Sequence, residues 1–151
     1  MSALYEISGR CHCGNIEFEF TSPLQKTELP IRTCDCSFCT RQGACYTSHP
    51  QGRLAVRIKD RAMLQTYRFG SESADAYICR RCGVYPFIAS ELDGTMYAVL
   101  NANSINGLHI DRAIIPPAQQ FSDQTEEERK ARWKRAWIGH VEITFSGQGQ
   151  F

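Results

Sequence analysis

The stretch GRCHCGNIEFEF, residues 9–20, carries the pattern that decides the fold. Ile16, Phe18 and Phe20 alternate with two glutamates, so the apolar side chains face one side of a strand and the carboxylates face the other. Further segments rich in β-forming residues follow between turn signals, at 54–58, 63–69, 76–79, 85–89, 96–100 and 141–145. Many short strands with no helical pattern between them predict a mainly β fold.

The composition changes after Pro116 and Pro117, which stop any regular element. The segment SDQTEEERKARWKRAWIGH, residues 122–140, then predicts one helix near the C-terminus. Thr125 and Glu128 have the spacing of a capping box, and acidic residues in the first turn precede basic residues in the later turns.

Two tryptophans, Trp133 and Trp137, lie four residues apart and therefore share one face of this helix. Their spacing favours packing of the helix on the β core over a role in stacking against a ligand. We expect one domain at residues 1–115 and a helical extension at 116–151 that packs on it. The final SGQGQF is expected to form no regular element.

Charge and hydropathy narrow the classes of function. The chain has 17 basic and 16 acidic residues and a formal net charge of +1, which provides no electrostatic footprint for nucleic acid or for an anionic membrane. No apolar run approaches the roughly 20 residues that span a bilayer, and MSALYEISGR at the N-terminus does not have the pattern of a secretory signal. These features predict a cytoplasmic protein.

Eight cysteines are many for a chain of 151 residues, and their even number allows a disulfide framework. Seven of them, however, fall into three tight clusters, CHC at 11–13, CDCSFC at 34–39 and CRRC at 79–82. Clustered cysteines suit a metal ion better than disulfides, which usually tie distant segments together in exported proteins. The pattern favours metal binding.

Two of these clusters complement each other as a closed site. Cys11 and Cys13 lie two apart and point to the same face of a strand, while Cys79 and Cys82 form a C-x-x-C turn that Gly83 can complete. Together they supply four thiolates to one zinc ion. Such a site has no room for a substrate, so its predicted role is structural.

The remaining cluster supplies three thiolates, those of Cys34, Cys36 and Cys39. Three protein ligands with an open fourth position are typical of catalytic zinc. Cys45, only six residues later, can instead close the site, as can His49 or His12. Cys45 can also be a free buried cysteine. The spacing leaves these alternatives open.

The combination of GRCHCGNIEF, CDCSFC, ICRRCGVYPF and YAVLNANSINGL resembles the glutathione-dependent formaldehyde-activating enzyme family, also called the centromere-protein-V-like domain, over about residues 9–108. The resemblance implies coiled β-sheets like those of methionine sulfoxide reductase B. It also implies two zinc ions, a structural one on Cys11, Cys13, Cys79 and Cys82 and a catalytic-type one on Cys34, Cys36 and Cys39. The activity implied is a carbon–sulfur lyase reaction in reverse, the condensation of formaldehyde with glutathione.

An enzyme of this kind needs a cation for the carboxylates of its thiol substrate, since arginine binds carboxylates bidentately. Arg41, two residues after Cys39, is the first candidate and Arg32 the second. The alternative is a non-catalytic zinc-stabilised binding module in which Cys45 closes the second site. A third hypothesis makes Cys45 a redox thiol.

Overall fold

The computed structural model describes residues 3–69 and 73–146. Apart from Ser146, the SGQGQF segment lies outside the described residues. The strands are β1 (Tyr5–Arg10), β2 (Ile16–Ser22), β3 (Tyr46–Thr47), β4 (Arg53–Ile58), β5 (Leu64–Arg68), β6 (Asp75–Cys79), β7 (Phe87–Leu92), β8 (Thr95–Asn101) and β9 (Val141–Phe145). The α-helices are α1 (Ser37–Gln42) and α2 (Glu126–Ala136), and short 3-10 turns occur at Lys26–Glu28, Arg61–Met63, Ala102–Ser104 and Arg112–Ile114.

The strands form two sheets, which confirms the mainly β prediction. The first sheet has the order β1-β2-β4-β9 and the second β3-β8-β7-β6-β5. Neighbours are antiparallel except β4 and β9, which run parallel. No helix in the described ranges is long and apolar enough to cross a membrane.

One apolar cluster joins the two sheets. The alternating residues of β2 supply Phe18 and Phe20, which face Val56 and Leu54 in the paired strand β4. The second sheet contributes side chains such as that of Phe87 to the same cluster. These residues are almost fully buried, so the period-two pattern read from the sequence marks the inner face of the first sheet.

The other face of the second sheet is covered by α2. Three paired residues, Ala76, Ile88 and Val99, form a row across β6, β7 and β8 on this outer face. Trp133 of α2 and Trp137, the residue after its end, are buried in the same cluster, and their rings stack with centroids 4.5 Å apart. The prediction that the tryptophans pack the helix on the β core is therefore confirmed.

The N-terminal end of α2 agrees with the predicted capping box, whereas its C-terminal end comes before the end of the predicted segment. Glu128 N–H donates to the Thr125 hydroxyl and Thr125 N–H donates to the Glu128 carboxylate, so the capping box is confirmed. The helix ends at Ala136, where Trp137 turns to an extended conformation, and Ile138 then exchanges two backbone hydrogen bonds with Ala98 of β8.

The C-terminal segment contributes to both sheets. Ile138 pairs with the second sheet, and β9 extends the first sheet beside β4. Upstream of α2, Gln119 pairs with Cys34, and its N–H donates to the carbonyl of Thr33. The expected extension at 116–151 thus supplies a strand as well as a helix, and the division at residue 115 stays a prediction.

A short helix that the sequence patterns did not predict, α1, lies inside the CDCSFC segment. Cys36 is its N-cap residue, and the Cys36 Sγ accepts a hydrogen bond from Cys39 N–H at 3.3 Å. Gly43 ends the helix with a φ of 63°, a left-handed conformation that glycine adopts without steric cost. The helix is local in origin and holds the last two cysteines of the segment on one turn.

Candidate metal centres

The first cysteine cluster joins the two sheets. Cys11 follows β1 of the first sheet, and Cys79 ends β6 of the second. The Sγ atoms of Cys11, Cys13, Cys79 and Cys82 all lie within 4.8 Å of one another. Cys13 Sγ is 3.8 Å from Cys11 Sγ and 3.5 Å from Cys79 Sγ. The cluster can hold one metal ion between segments 66 residues apart in sequence.

Backbone turns set the positions of these sulfurs. Gly83 adopts a φ of 79°, and its N–H donates to the Cys79 carbonyl at 2.8 Å. This turn places Cys82 N–H 3.5 Å from Cys79 Sγ, while Ile16 N–H donates to Cys11 Sγ at 3.3 Å. Hydrogen bonds of this kind favour the thiolate form that a metal ion requires.

The pKa values within this cluster diverge because burial dominates at Cys11 and hydrogen bonds dominate at Cys82. Burial raises the pKa of Cys11 to about 12. Burial also acts to raise the pKa of Cys82, but hydrogen bonds from the backbone at Cys13 and Val84 outweigh it and lower that pKa to about 6. A cation in the cluster would replace the shared protons and ionise all four sulfurs.

The second cluster is built by the start of α1. The Sγ atoms of Cys34, Cys36 and Cys39 lie within 4.8 Å of one another, and Cys39 alone of the three is buried. Cys36 N–H donates to Cys34 Sγ at 3.5 Å, which adds to the bond from Cys39 N–H to Cys36 Sγ. The neighbouring Cys39 thiol lowers the pKa of Cys34 to about 6 as a hydrogen-bond donor. The cluster can hold a metal ion through three sulfurs.

No fourth ligand from the described part of the chain joins these three sulfurs. Among the described residues, no further cysteine, histidine or carboxylate has a ligand atom within 4.8 Å of all three. Cys45, one of the suggested closing ligands, belongs to the cluster between the sheets, whereas Cys39 belongs to the cluster on the outer face. The Cys45 sulfur instead accepts a hydrogen bond from Arg112 Nη1 at 3.2 Å.

Two buried tyrosines form a hydrogen-bonded chain with the second cluster. The Tyr46 hydroxyl donates to Cys39 Sγ at 3.0 Å and lies 3.0 Å from the Tyr85 hydroxyl. Burial raises the pKa of both tyrosines, so both stay protonated. Sequence reasoning missed them, because no spacing rule connects a tyrosine to a cysteine seven residues before it or to a tyrosine 39 residues after it. The hint was only that Tyr46 follows shortly after the cluster in an apolar stretch.

Removing the Tyr46 hydroxyl is expected to weaken metal binding at the second cluster by about 10–100-fold, the usual effect of losing an outer-shell hydrogen bond. Tyr46→Phe keeps the ring and its packing, so the loss reports on the bond to Cys39. Cobalt(II) titration, followed by thiolate-to-metal absorption, measures it. Tyr77→Phe is the matched control, since Tyr77 stacks on Phe87 away from the cluster. Equal affinities in the two variants would contradict this role.

A cavity of about 530 Å³ opens beside the second cluster. Its walls include all three cysteines and the Tyr46 side chain. Its apolar lining residues are Phe69, Ala74, Ala76, Ile88, Val99, Phe121, Trp133, Ala136 and Trp137. Its remaining polar lining residues are Arg32, Thr33, Asp35, Gln119, Ser122, Arg129 and Arg132. A small-molecule ligand in the cavity would reach the cysteine cluster directly.

Three arginines rather than the expected one give the cavity its positive charge. Arg41, the first candidate from the sequence, is exposed and is not a lining residue; its Nη1 donates to the Ser37 carbonyl at 3.1 Å. The reason is helical geometry. Arg41 lies two positions after the buried Cys39, so its side chain points to the opposite face of α1. Arg32, the second candidate, does line the cavity, where its guanidinium donates to Ser48 Oγ at 2.6 Å.

Comparison with known proteins covers both clusters. The family model described as glutathione-dependent formaldehyde-activating enzyme matches residues 6–124, which include every cysteine but end before α2. A solved crystal structure of a Rhodobacter sphaeroides protein is similar, at 29% sequence identity over 68% of this chain and 90% of that chain, with a TM-score of 0.48. The matched span shows that this chain belongs to the glutathione-dependent formaldehyde-activating enzyme family.

Proposed function

We propose that the chain is a zinc-dependent enzyme that joins a small-molecule thiol, glutathione, to a small aldehyde such as formaldehyde. This is a carbon–sulfur lyase reaction in reverse. The observation that carries the proposal is the cluster of three cysteines at the wall of a cavity that also bears three arginines. Family membership supports the same reaction class.

Zinc fits both clusters. Four sulfurs at about 2.3 Å from a tetrahedral zinc ion are about 3.8 Å apart, and the sulfur separations in the first cluster are 3.8 Å and 3.5 Å. Thiolate ligands without a carboxylate also favour zinc over magnesium or calcium. The four-cysteine cluster has the ligand number of a structural ion, and the three-cysteine cluster leaves one position for a substrate.

The reaction itself is an addition. The thiol sulfur forms a bond to the carbonyl carbon, the carbonyl π bond breaks, and the thiol proton ends on the new hydroxyl oxygen. A zinc ion at Cys34, Cys36 and Cys39 would supply a Lewis-acid position that favours the thiolate form of the substrate. The chain's own residues bind the thiol, orient it and exclude water.

The arginines suit the two carboxylates of glutathione. Burial, together with the nearby Arg129, lowers the pKa of Arg132 to about 10, so this guanidinium is still a cation at neutral pH. Within the described ranges, neither Arg32, Arg129 nor Arg132 forms a salt bridge with a carboxylate. Arg32 donates to Ser48, and Arg132 donates to Gln124 and lies over the Phe121 ring, so no carboxylate neutralises either charge. On the cavity wall that charge is opposed by Asp35 and by the Cys34 thiol, whose pKa is lowered to about 6.

The alternative, a non-catalytic module, needs a closed second cluster, and the position of Cys45 between the sheets does not support closure. A cytoplasmic location is part of the proposal, since reduced thiols and glutathione belong together in a reducing compartment. All eight cysteines are free in the structure.

Exchange NMR tests the proposal by measuring how fast glutathione and its formaldehyde adduct interconvert. Zinc-loaded protein is expected to accelerate this exchange above the spontaneous rate. Arg132→Gln should raise the glutathione concentration needed for half-maximal acceleration about tenfold, through loss of a charged hydrogen bond. Arg135→Gln is the matched control, because Arg135 is exposed on the same helix outside the cavity. Exchange that stays at the spontaneous rate would favour the non-catalytic module.

A further inference from the structure

The lining of the cavity is more apolar than its proposed small substrates require. Formaldehyde has a single carbon, so it needs little more room than the roughly 30 Å³ that one water occupies. Glutathione is polar and carries two carboxylates and an ammonium group. The cavity measures about 530 Å³, and nine of its lining residues are apolar. Its apolar part calls for a ligand group that neither formaldehyde nor glutathione supplies.

The apolar part is a slot between the second sheet and α2. Its floor is the row of Ala76, Ile88 and Val99, which lie directly opposite one another across three strands. Its roof is the stacked pair of Trp133 and Trp137. Ala76, Val99 and both tryptophans are almost fully buried in one cluster, so the accessible wall of the slot is formed by the half-buried side chains of Ile88 and Ala136.

The face of α2 that lines the cavity changes in character along its length. Its lining residues have the spacing of one helical face, from Arg129 in the first turn through Arg132 and Trp133 in the second half to Ala136 and, just beyond the helix, Trp137. The cationic end suits carboxylates, and the aromatic end suits an apolar group on the same ligand. This face lies beyond residue 124, where the family match ends.

We propose that the aldehyde handled by this chain carries an apolar alkyl or aromatic group of several carbons, which the slot between the sheet and α2 binds. The ligand is then the glutathione adduct of that aldehyde, with its carboxylates at the arginines, its sulfur at the three cysteines and its apolar group under the tryptophans. The inference rests on the proposed function and specifies its substrate class.

Stable thioethers of glutathione test the inference, because their S-alkyl groups mimic the adduct without exchanging. S-Methylglutathione and S-hexylglutathione differ by five methylenes, and each buried methylene is worth about fourfold in affinity. Calorimetry on zinc-loaded protein is expected to show S-hexylglutathione binding at least about tenfold more tightly, since burial in a partly open slot is incomplete. The two tryptophans are the chain's only ones, so the hexyl group should also change tryptophan fluorescence while the methyl group does not.

A pair of matched variants tests whether the preference for S-hexylglutathione arises in the slot. Ala136→Leu adds bulk to the slot without breaking helix propensity, and it should abolish the preference for the hexyl group. Ala131→Leu makes the same change at an exposed position of α2 outside the cavity and should keep the preference. Equal affinity for both thioethers, with glutathione still bound, overturns this inference alone. Binding of glutathione without S-hexylglutathione also overturns it. No binding of any glutathione derivative overturns both this inference and the proposed function.

Discussion

Cys79→Ser is expected to prevent stable folding of the chain. Cys79 is fully buried where β6 ends, and its sulfur lies 3.5 Å from that of Cys13 at the other end of the first cluster. A structural zinc site contributes roughly 10–16 kcal/mol of apparent binding energy to folding, whereas a whole domain is stable by only about 5–15 kcal/mol. Loss of one of four thiolates therefore removes a large share of the stability. Circular dichroism melting of the purified variant measures this loss.

A second single replacement separates loss of the metal clamp from loss of any buried sulfur. Cys45 is as buried as Cys79 but belongs to neither cluster, and its sulfur contacts Arg112. Cys45→Ser should therefore keep a cooperative melt and the metal content of the wild type, with a loss of about 1–3 kcal/mol at most. If Cys79→Ser melted as the wild type does, the first cluster would not be a structural metal site.

The strands and the cysteine clusters could be predicted because their signals are local. The alternation in β2 shows which face is buried. Cys11 and Cys13 lie in the turn that follows β1, not on a strand as predicted, but their close spacing in the chain still brings their sulfurs to 3.8 Å. The capping box of α2 is equally local, since Thr125 and Glu128 need only one turn to meet. Such patterns depend only on residues that are close in sequence, so they can be read without knowing the tertiary structure.

The cavity could not be predicted because it is a product of long-range packing. Arg132 reaches it only because α2 lies across the outer face of the second sheet, and Tyr85 reaches Tyr46 from a segment 39 residues later in the chain. Sequence proximity favoured Arg41 instead, and the unexpected helix α1 points that side chain away. Nearness in sequence is a poor guide to the residues around a site when the chain turns through a helix beside it.

Cys36→Ser is expected to abolish glutathione binding and the acceleration of adduct exchange while leaving the fold intact. The fold survives because serine is among the best N-cap residues, and its hydroxyl can accept the Cys39 N–H that the Cys36 sulfur accepts. The second cluster would keep only two thiolates, with no other ligand in the described ranges near enough to replace the third. Metal affinity there should fall by more than the about 10–100-fold expected for an outer-shell change.

Zinc content and glutathione binding of Cys36→Ser, measured together, test this prediction. The first cluster is unchanged in the variant and serves as an internal control. The variant should retain one zinc per chain and melt close to the wild type, while the second zinc and the calorimetric signal of glutathione are lost. Ser37→Ala, at the exposed next residue of α1, should retain both ions and full binding. If Cys36→Ser and the wild type bound glutathione with equal affinity, the second cluster would have no role in the proposed reaction. The three arginines would then bind the tripeptide by charge alone, as expected of a binding module without catalysis.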